Sequence, residues 1–264
     1  MGEVYVIISG KGGVGKTTSA INIGSTINTL GKEIVIVDAN LSTPNIGLHL
    51  GSPIVPVTLN HVMTKKIKPE EAIYEHESGT KIMPASLSLD DVKKTDYNKL
   101  PDITKRLRKI SDYVLLDSAA GLGEEAKASI KSADKIIIIT NPEMSAVTDA
   151  LKTIKMAEEM KKEVIGTVIT RHTGESHEMD IPTIKDMLEV PILGIIPEDK
   201  AVKESQKIKN AVVYTHPKSK AAKSYNKTAK RILGPEYYKE LQEEAEQTVG
   251  LFTKVVRKIF GIKK

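Results

Sequence analysis

The stretch Gly10-Lys11-Gly12-Gly13-Val14-Gly15-Lys16-Thr17 limits what this chain can fold into more than any other. It satisfies G-x-x-x-x-G-K-[ST]. It also sits between an apolar, β-branched run, residues 4–9, and a helical pattern, residues 16–30. A strand that feeds a glycine loop and then a helix opens a parallel α/β unit, because the helix must cross back before the next strand can pair. The glycines let successive backbone N–H groups turn inward, and the helix start adds partial positive charge, so the loop is shaped to hold phosphate. In such a loop Lys16 reaches the β- and γ-phosphates and the Thr17 hydroxyl ligates Mg²⁺.

The rest of the chain continues the alternation. Residues 34–38, 81–83, 113–117, 135–140, 164–170 and 192–196 read as strands, mostly apolar without a polar face, as strands buried on both sides do. Residues 100–110, 126–132, 145–160, 181–188 and 221–233 read as helices. The expected fold is α/β, a mostly parallel doubly wound sheet flanked by helices. Gly234-Pro235 closes this domain, residues 1–235. A helical tail, 236–264, follows: an acidic pattern over 236–247, then a basic amphipathic segment over 249–264. No signal peptide precedes the first strand, and no apolar run reaches the roughly 20 residues that span a bilayer, so a cytoplasmic protein is expected. The chain has no Cys, which excludes disulfides, thiolate-held clusters and cysteine nucleophiles.

With two lysines five residues apart, the loop resembles the deviant Walker A motif of the MinD/ParA ATPases, and the likeness covers roughly residues 1–235. Asp38-Ala39-Asn40 ends a strand in the manner of that family's switch I. Asp112–Asp117 followed by Ser118-Ala119-Ala120-Gly121 resembles its Walker B strand and switch II. Thr140-Asn141-Pro142-Glu143 and Ile196-Pro197-Glu198-Asp199 resemble its late loops, the second of them near the adenine. The resemblance implies an ATPase that uses Mg²⁺ with ATP and works as an ATP-dependent homodimer. Its ATP-binding set here is Gly10, Lys11, Gly12, Gly13, Val14, Gly15, Lys16, Thr17 and Thr18, with Arg171, Pro197, Glu198 and Asp199. It implies Mg²⁺ at Thr17, Asp38 and Asp117, the two carboxylates acting through water; by the residues alone either aspartate could instead cap the next helix. It also implies that Lys11 crosses the dimer interface to the partner's phosphates, a cation supplied in trans like an arginine finger.

Two positions depart from the family. Asn40 stands where a second aspartate often positions the attacking water. An amide orients water but takes no proton, so hydrolysis with Lys11, Lys16, Asp38 and Asn40 as catalytic residues is expected to be slow. Ala119 stands where proline is frequent, which suggests a looser switch II. His49, His172 and His177 lack metal-ligand spacing and read as solvated loop residues.

The formal charge of +5 is local. Five of the 39 basic residues lie in 249–264, which has no acid, and the other 34 are matched by 34 Asp and Glu. In that segment Phe252, Val255, Val256, Ile259 and Phe260 share one helical face, extended by Leu251, and Lys254, Arg257 and Lys258 project from the other. About 14 helical residues are too few to cross a bilayer and enough to lie on an anionic membrane surface. The expected protein is therefore a MinD-like ATPase, peripheral on the inner face of the cell membrane, that positions a cargo or regulator protein in cell division or polarity. The alternative is a ParA-like partitioning ATPase that binds DNA non-specifically, with Lys152, Lys155, Lys161 and Lys162 as a basic patch; charge neutrality over residues 1–248 weighs against it. The lack of Cys weighs against an iron–sulfur carrier of the same superfamily.

Overall fold

A computed structural model describes residues 1–65, 67–235 and 237. The acidic helix expected over 236–247 and the amphipathic segment 249–264, with every membrane-facing residue assigned to it, lie outside the described residues.

The strands are β1 (Glu3–Ser9), β2 (Ile34–Ala39), β3 (Tyr74–Glu75), β4 (Lys81–Met83), β5 (Tyr113–Ala120), β6 (Lys135–Thr140), β7 (Glu163–His172) and β8 (Ile192–Pro197). They form one sheet in the order β3-β4-β2-β5-β1-β6-β7-β8, parallel throughout except for the short β3–β4 pair at one edge. The helices are α1 (Lys16–Thr29), α2 (Ile46–His49), α3 (Leu59–Thr64), α4 (Leu89–Lys94), α5 (Leu100–Leu107), α6 (Glu124–Ser132), α7 (Met144–Glu159), α8 (Ile181–Leu188), α9 (Lys200–Lys207), α10 (Val212–Thr215) and α11 (Lys220–Leu233).

The absence of a polar face in the strands is explained by a core on each side. Along β1, Val4, Val6 and Ile8 join one cluster with side chains of α5, α6, α7 and α8, while Tyr5 and Ile7 join the other with α1, α10 and α11. Because successive strand residues point to opposite faces, a strand in such a sandwich must be apolar at every position. From β1 the chain crosses to β2 on one side and later enters β6 on the other, so strand order reverses beside β1. In open α/β sheets that reversal opens a crevice at the carboxyl ends of the strands. The loop after β1 lies there.

Most expected elements appear within a few residues of their expected ends. The sequence pattern missed β3 and the short helices α2, α3, α4, α9 and α10. Strand β5 runs on to Ala120, with Ala39 opposite Ser118 and Ser9 opposite Ala120. Ala119, where a looser switch II was expected, is itself part of this strand.

Candidate nucleotide site

Two glycines set the path of the loop. A Cβ on Gly10 would lie 2.4 Å from the Asp149 carbonyl oxygen, so only glycine lets the loop pass this close to α7. Gly15 takes a φ of 93° at the N-cap of α1, in the left-handed region that favours glycine. Thr170 at the end of β7 supports the loop from below, its hydroxyl 2.6 Å from the Val14 carbonyl and 2.9 Å from Asn141 Oδ1. Beyond these contacts the cradle is open: a Cβ on Gly12 or Gly13 would meet nothing within 4 Å. A cavity of about 420 Å³ lies over it, lined by Gly12, Gly13, Lys16, Thr17, Asn45 and His49 among others.

The floor of this cavity holds buried charge. Lys16 is 9% exposed and donates to Ser9 Oγ at 3.1 Å. Burial pushes its ammonium below the usual lysine range, and Asp117 pulls it back up. Asp117 is fully buried, and neither carboxylate oxygen has a hydrogen-bond partner among the described residues. Burial raises its pKa from 3.8 to about 6, against the opposite pull of the Thr17 hydroxyl and Lys16 nearby. Asp38, also fully buried, is raised well above the usual range by burial and by Asp117. Its Oδ2 accepts from the N–H groups of Asn45 and Ile46, both at 2.9 Å, so it caps the start of α2 and shapes switch I. A carboxylate left unpartnered in a buried site costs stability unless a cation completes it. Asp117, Asp38 and the Thr17 hydroxyl are the hard oxygen donors that suit Mg²⁺, and Lys16 with the open cradle suits phosphate.

Lys11 points elsewhere. Its Nζ lies 2.9 Å from Glu143 Oε2 and 2.9 Å from Ser145 Oγ, and its side chain is 38% exposed. The first lysine of the loop is thus held at the outer rim by the start of α7, while the second is buried at the floor. Asn40 is also turned aside: its amide donates to the Thr43 carbonyl at 2.5 Å and accepts from the Thr43 hydroxyl at 3.0 Å.

A second cavity of about 180 Å³ adjoins the loop and is lined by Thr18, Arg171, Pro197, Glu198, Asp199, Gln206 and Tyr225 among others. Arg171, Pro197, Glu198 and Asp199, expected to bind ATP, all line it. Asp199, however, gives its oxygens to the N–H groups of Ala201 and Ala221, both at 3.0 Å, which ties the starts of α9 and α11 together. It builds the wall. Gln206, which donates to Thr18 Oγ1 at 3.2 Å, was not foreseen because the sequence around it shows too few apolar residues to mark a helix. His49 corrects the sequence reading: it is half-buried on the phosphate cavity, and burial together with Lys209 holds its imidazole below the usual pKa. His172 is also not a free loop residue, since its Nδ1 lies 2.6 Å from Glu178 Oε2. His177 is exposed, beside Glu175.

The lysines considered for DNA are largely engaged. Lys152 pairs with Asp149, Lys155 with Glu158, and Lys162 donates to the Lys131 and Ala133 carbonyls. No helix of the described residues is long and apolar enough to cross a membrane.

The comparisons agree with this geometry. The sequence model of a family described as "ParA: NUBPL iron-transfer P-loop NTPase" matches residues 1–233. An uncharacterized ATP-binding protein of Methanocaldococcus jannaschii is 34% identical over 254 residues, 96% of each chain. The septum site-determining protein MinD of Bacillus subtilis is 30% identical over 272 residues, covering 100% of each chain. The structure of MinD complexed with Mg-ADP from Pyrococcus horikoshii superposes with a TM-score of 0.84 at 32% identity, over 88% of this chain and 96% of that one.

Proposed function

The chain belongs to the ParA family of P-loop NTPases, and from that premise we propose that it is a MinD-like, Mg²⁺-dependent ATPase that switches between a monomer and an ATP-bound dimer. One observation carries the reading: the loop has two lysines and separates them, Lys16 on the floor beside unpartnered Asp117 and Lys11 at the rim on an exchangeable pair with Glu143 and Ser145. Lys16, Thr17, Asp38 and Asp117 hold Mg²⁺ and the phosphates of the chain's own ATP. Mg²⁺, when bound, neutralises charge on the phosphate oxygens. Lys11 leaves Glu143 to meet the phosphates across the dimer interface. The family description names iron transfer, but a chain without Cys cannot hold a cluster by thiolates.

The dimer then acts through its tails. Each cation of 249–264 near an anionic leaflet contributes about 1 kcal/mol, so one short amphipathic helix binds weakly and reversibly. Two tails held together raise avidity by roughly 10²-fold or more without new contacts. ATP places the protein on the inner face of the membrane, where it positions a cargo or regulator protein, and hydrolysis releases it. Co-sedimentation with anionic liposomes tests this, comparing ATP with ADP for the full chain and for one ending at Gln247. Binding that needs both ATP and the tail is expected. Equal binding by the truncated chain sinks the membrane reading.

A further inference from the structure

The phosphate cavity has His49 as an imidazole on its wall but no carboxylate on its open side. No Asp or Glu is among the described residues that line it, and the Asn40 amide is occupied by Thr43. A neighbouring cavity of about 440 Å³ shares Asn40, Thr43 and Ala120 with it as a common wall. This second cavity holds Ser42 and Tyr97, together with Glu125 from the first turn of α6.

Glu125 joins three segments. Its Oε1 accepts from the Ser42 hydroxyl of switch I, and from the Tyr97 hydroxyl at 2.9 Å. Its Oε2 is buried with no hydrogen-bond partner among the described residues. A buried carboxylate oxygen without a donor is rare where the carboxylate only braces a fold. A hydroxyl that donates to a carboxylate keeps its lone pairs free to accept, and Ser42 lies on the cavity that adjoins the phosphate cavity.

We infer that Glu125 is a positioning residue for ATP hydrolysis, acting through the Ser42 hydroxyl in place of the carboxylate that position 40 lacks. The inference rests on the ATPase reading above. In the step, the water oxygen bonds to Pγ as the bond from Pγ to the β,γ-bridging oxygen breaks, and that electron pair leaves with ADP. The water proton passes to Ser42 Oγ while the Ser42 proton passes to Glu125. The proton returns through Ser42 to the released phosphate or to solvent. Proton transfer by a positioned group is worth about 10²–10⁴-fold in rate, and less when relayed through a hydroxyl.

The test is single-turnover hydrolysis of Mg²⁺-ATP by the full chain and by Glu125→Gln, Ser42→Ala, Asn40→Asp and the double variant Glu125→Gln with Asn40→Asp. The expected result is a fall of about tenfold or more in kcat for Glu125→Gln with KM for ATP unchanged. Ser42→Ala should fall by a similar factor, and combining the two should add little. An aspartate at 40 cannot donate to the Thr43 carbonyl and so is freed toward the phosphate cavity. Asn40→Asp should therefore restore the Glu125→Gln rate to within about threefold of the parent, as expected of one general base replacing another. A parental rate in Glu125→Gln overturns the inference, and so does a loss that Asn40→Asp does not restore. A parent that turns over no ATP overturns the ATPase reading itself, a different result from either.

Discussion

Two neighbourhoods at the same end of the sheet handle buried charge in opposite ways. Under the phosphate loop, Asp117 is fully buried and neither oxygen has a partner among the described residues, so burial raises its pKa to about 6. Beyond β7, the Glu178 side chain is 7% exposed and is wrapped by donors: the N–H groups of Thr173 and Gly174, the Thr173 hydroxyl and His172. Burial pushes Glu178 upward too, but the Thr173 and Gly174 N–H groups lead the donors in outweighing it, and its pKa falls to about 2. On the function proposed above, the contrast separates a charge kept for a ligand from a charge used by the fold. Lys16 and Lys11 repeat it within one loop, the first buried with a single hydroxyl partner, the second paired at the surface.

The largest effect should come from the ligand-reserved side. Lys16→Ala removes the buried lysine of the cavity floor and should lower ATP hydrolysis by about 10³-fold while leaving the fold intact, since among the described residues Lys16 makes one hydroxyl contact. Steady-state ATPase with a thermal melt checks both halves; a variant that melts early but still hydrolyses would make Lys16 a structural residue. Next is the rim. Lys11→Ala should bind Mg²⁺-ATP as a monomer, fail to dimerise, and lose about 10–100-fold in hydrolysis, less than a full arginine finger supplies. Light scattering with ATP reads the dimer. Dimerisation and turnover at parental levels would leave Lys11 as a surface lysine of its own subunit.

The third prediction follows from the sign of the Asp117 shift. Its folded pKa is raised above the unfolded value of 3.8, so the native state binds its proton more tightly than the unfolded chain does. The stability it contributes to the nucleotide-free protein is present below about pH 4 and is lost as pH rises through about 6. The loss is at most about 3 kcal/mol. Denaturant melts from pH 5 to 8 of the parent and of Asp117→Asn should diverge with this slope, and Mg²⁺ with ADP should flatten the parent's curve. Parallel curves would mean that Asp117 is satisfied without a ligand.

The sequence made the ligand-reserved side legible because its chemistry is local. The loop, the flanking strand and helix, and the aspartates near the ends of β2 and β5 are each marked by a few adjacent residues. The fully apolar strands marked the two-sided core for the same reason. What the sequence hid was contact across long separations. Nothing around Glu143 announces that it holds Lys11, 132 residues away, and nothing marks Glu125 as the partner of Ser42. Asp199 lines the cavity as expected, but its capping of two helices was hidden, since α9 buries only Ala201 and Ser205 and left no apolar period to betray it. His49 looked solvated because no pattern foretold the single turn of α2 that carries it to the cavity.

The smallest effect belongs to the charge used by the fold. Glu178→Gln keeps an acceptor oxygen but loses the negative charge that shortens and strengthens the bonds from Thr173, Gly174 and His172. It should cost about 1–2 kcal/mol at pH 7. Because the folded pKa of Glu178 is depressed to about 2 from 4.5, its contribution is present above about pH 4.5 and fades as pH falls toward 2. The gap between parent and Glu178→Gln should therefore close on acidification, whereas the gap between parent and Asp117→Asn opens with rising pH for the opposite reason. ATP hydrolysis should be unchanged in Glu178→Gln, because the loop it braces meets the cavity beside the phosphate loop through backbone, by the bond from Glu198 N–H to the His172 carbonyl and the pairing of His172 with Pro197. If Glu178→Gln alters turnover as much as it alters stability, the division between charges kept for ligands and charges kept for the fold does not hold at this edge of the sheet.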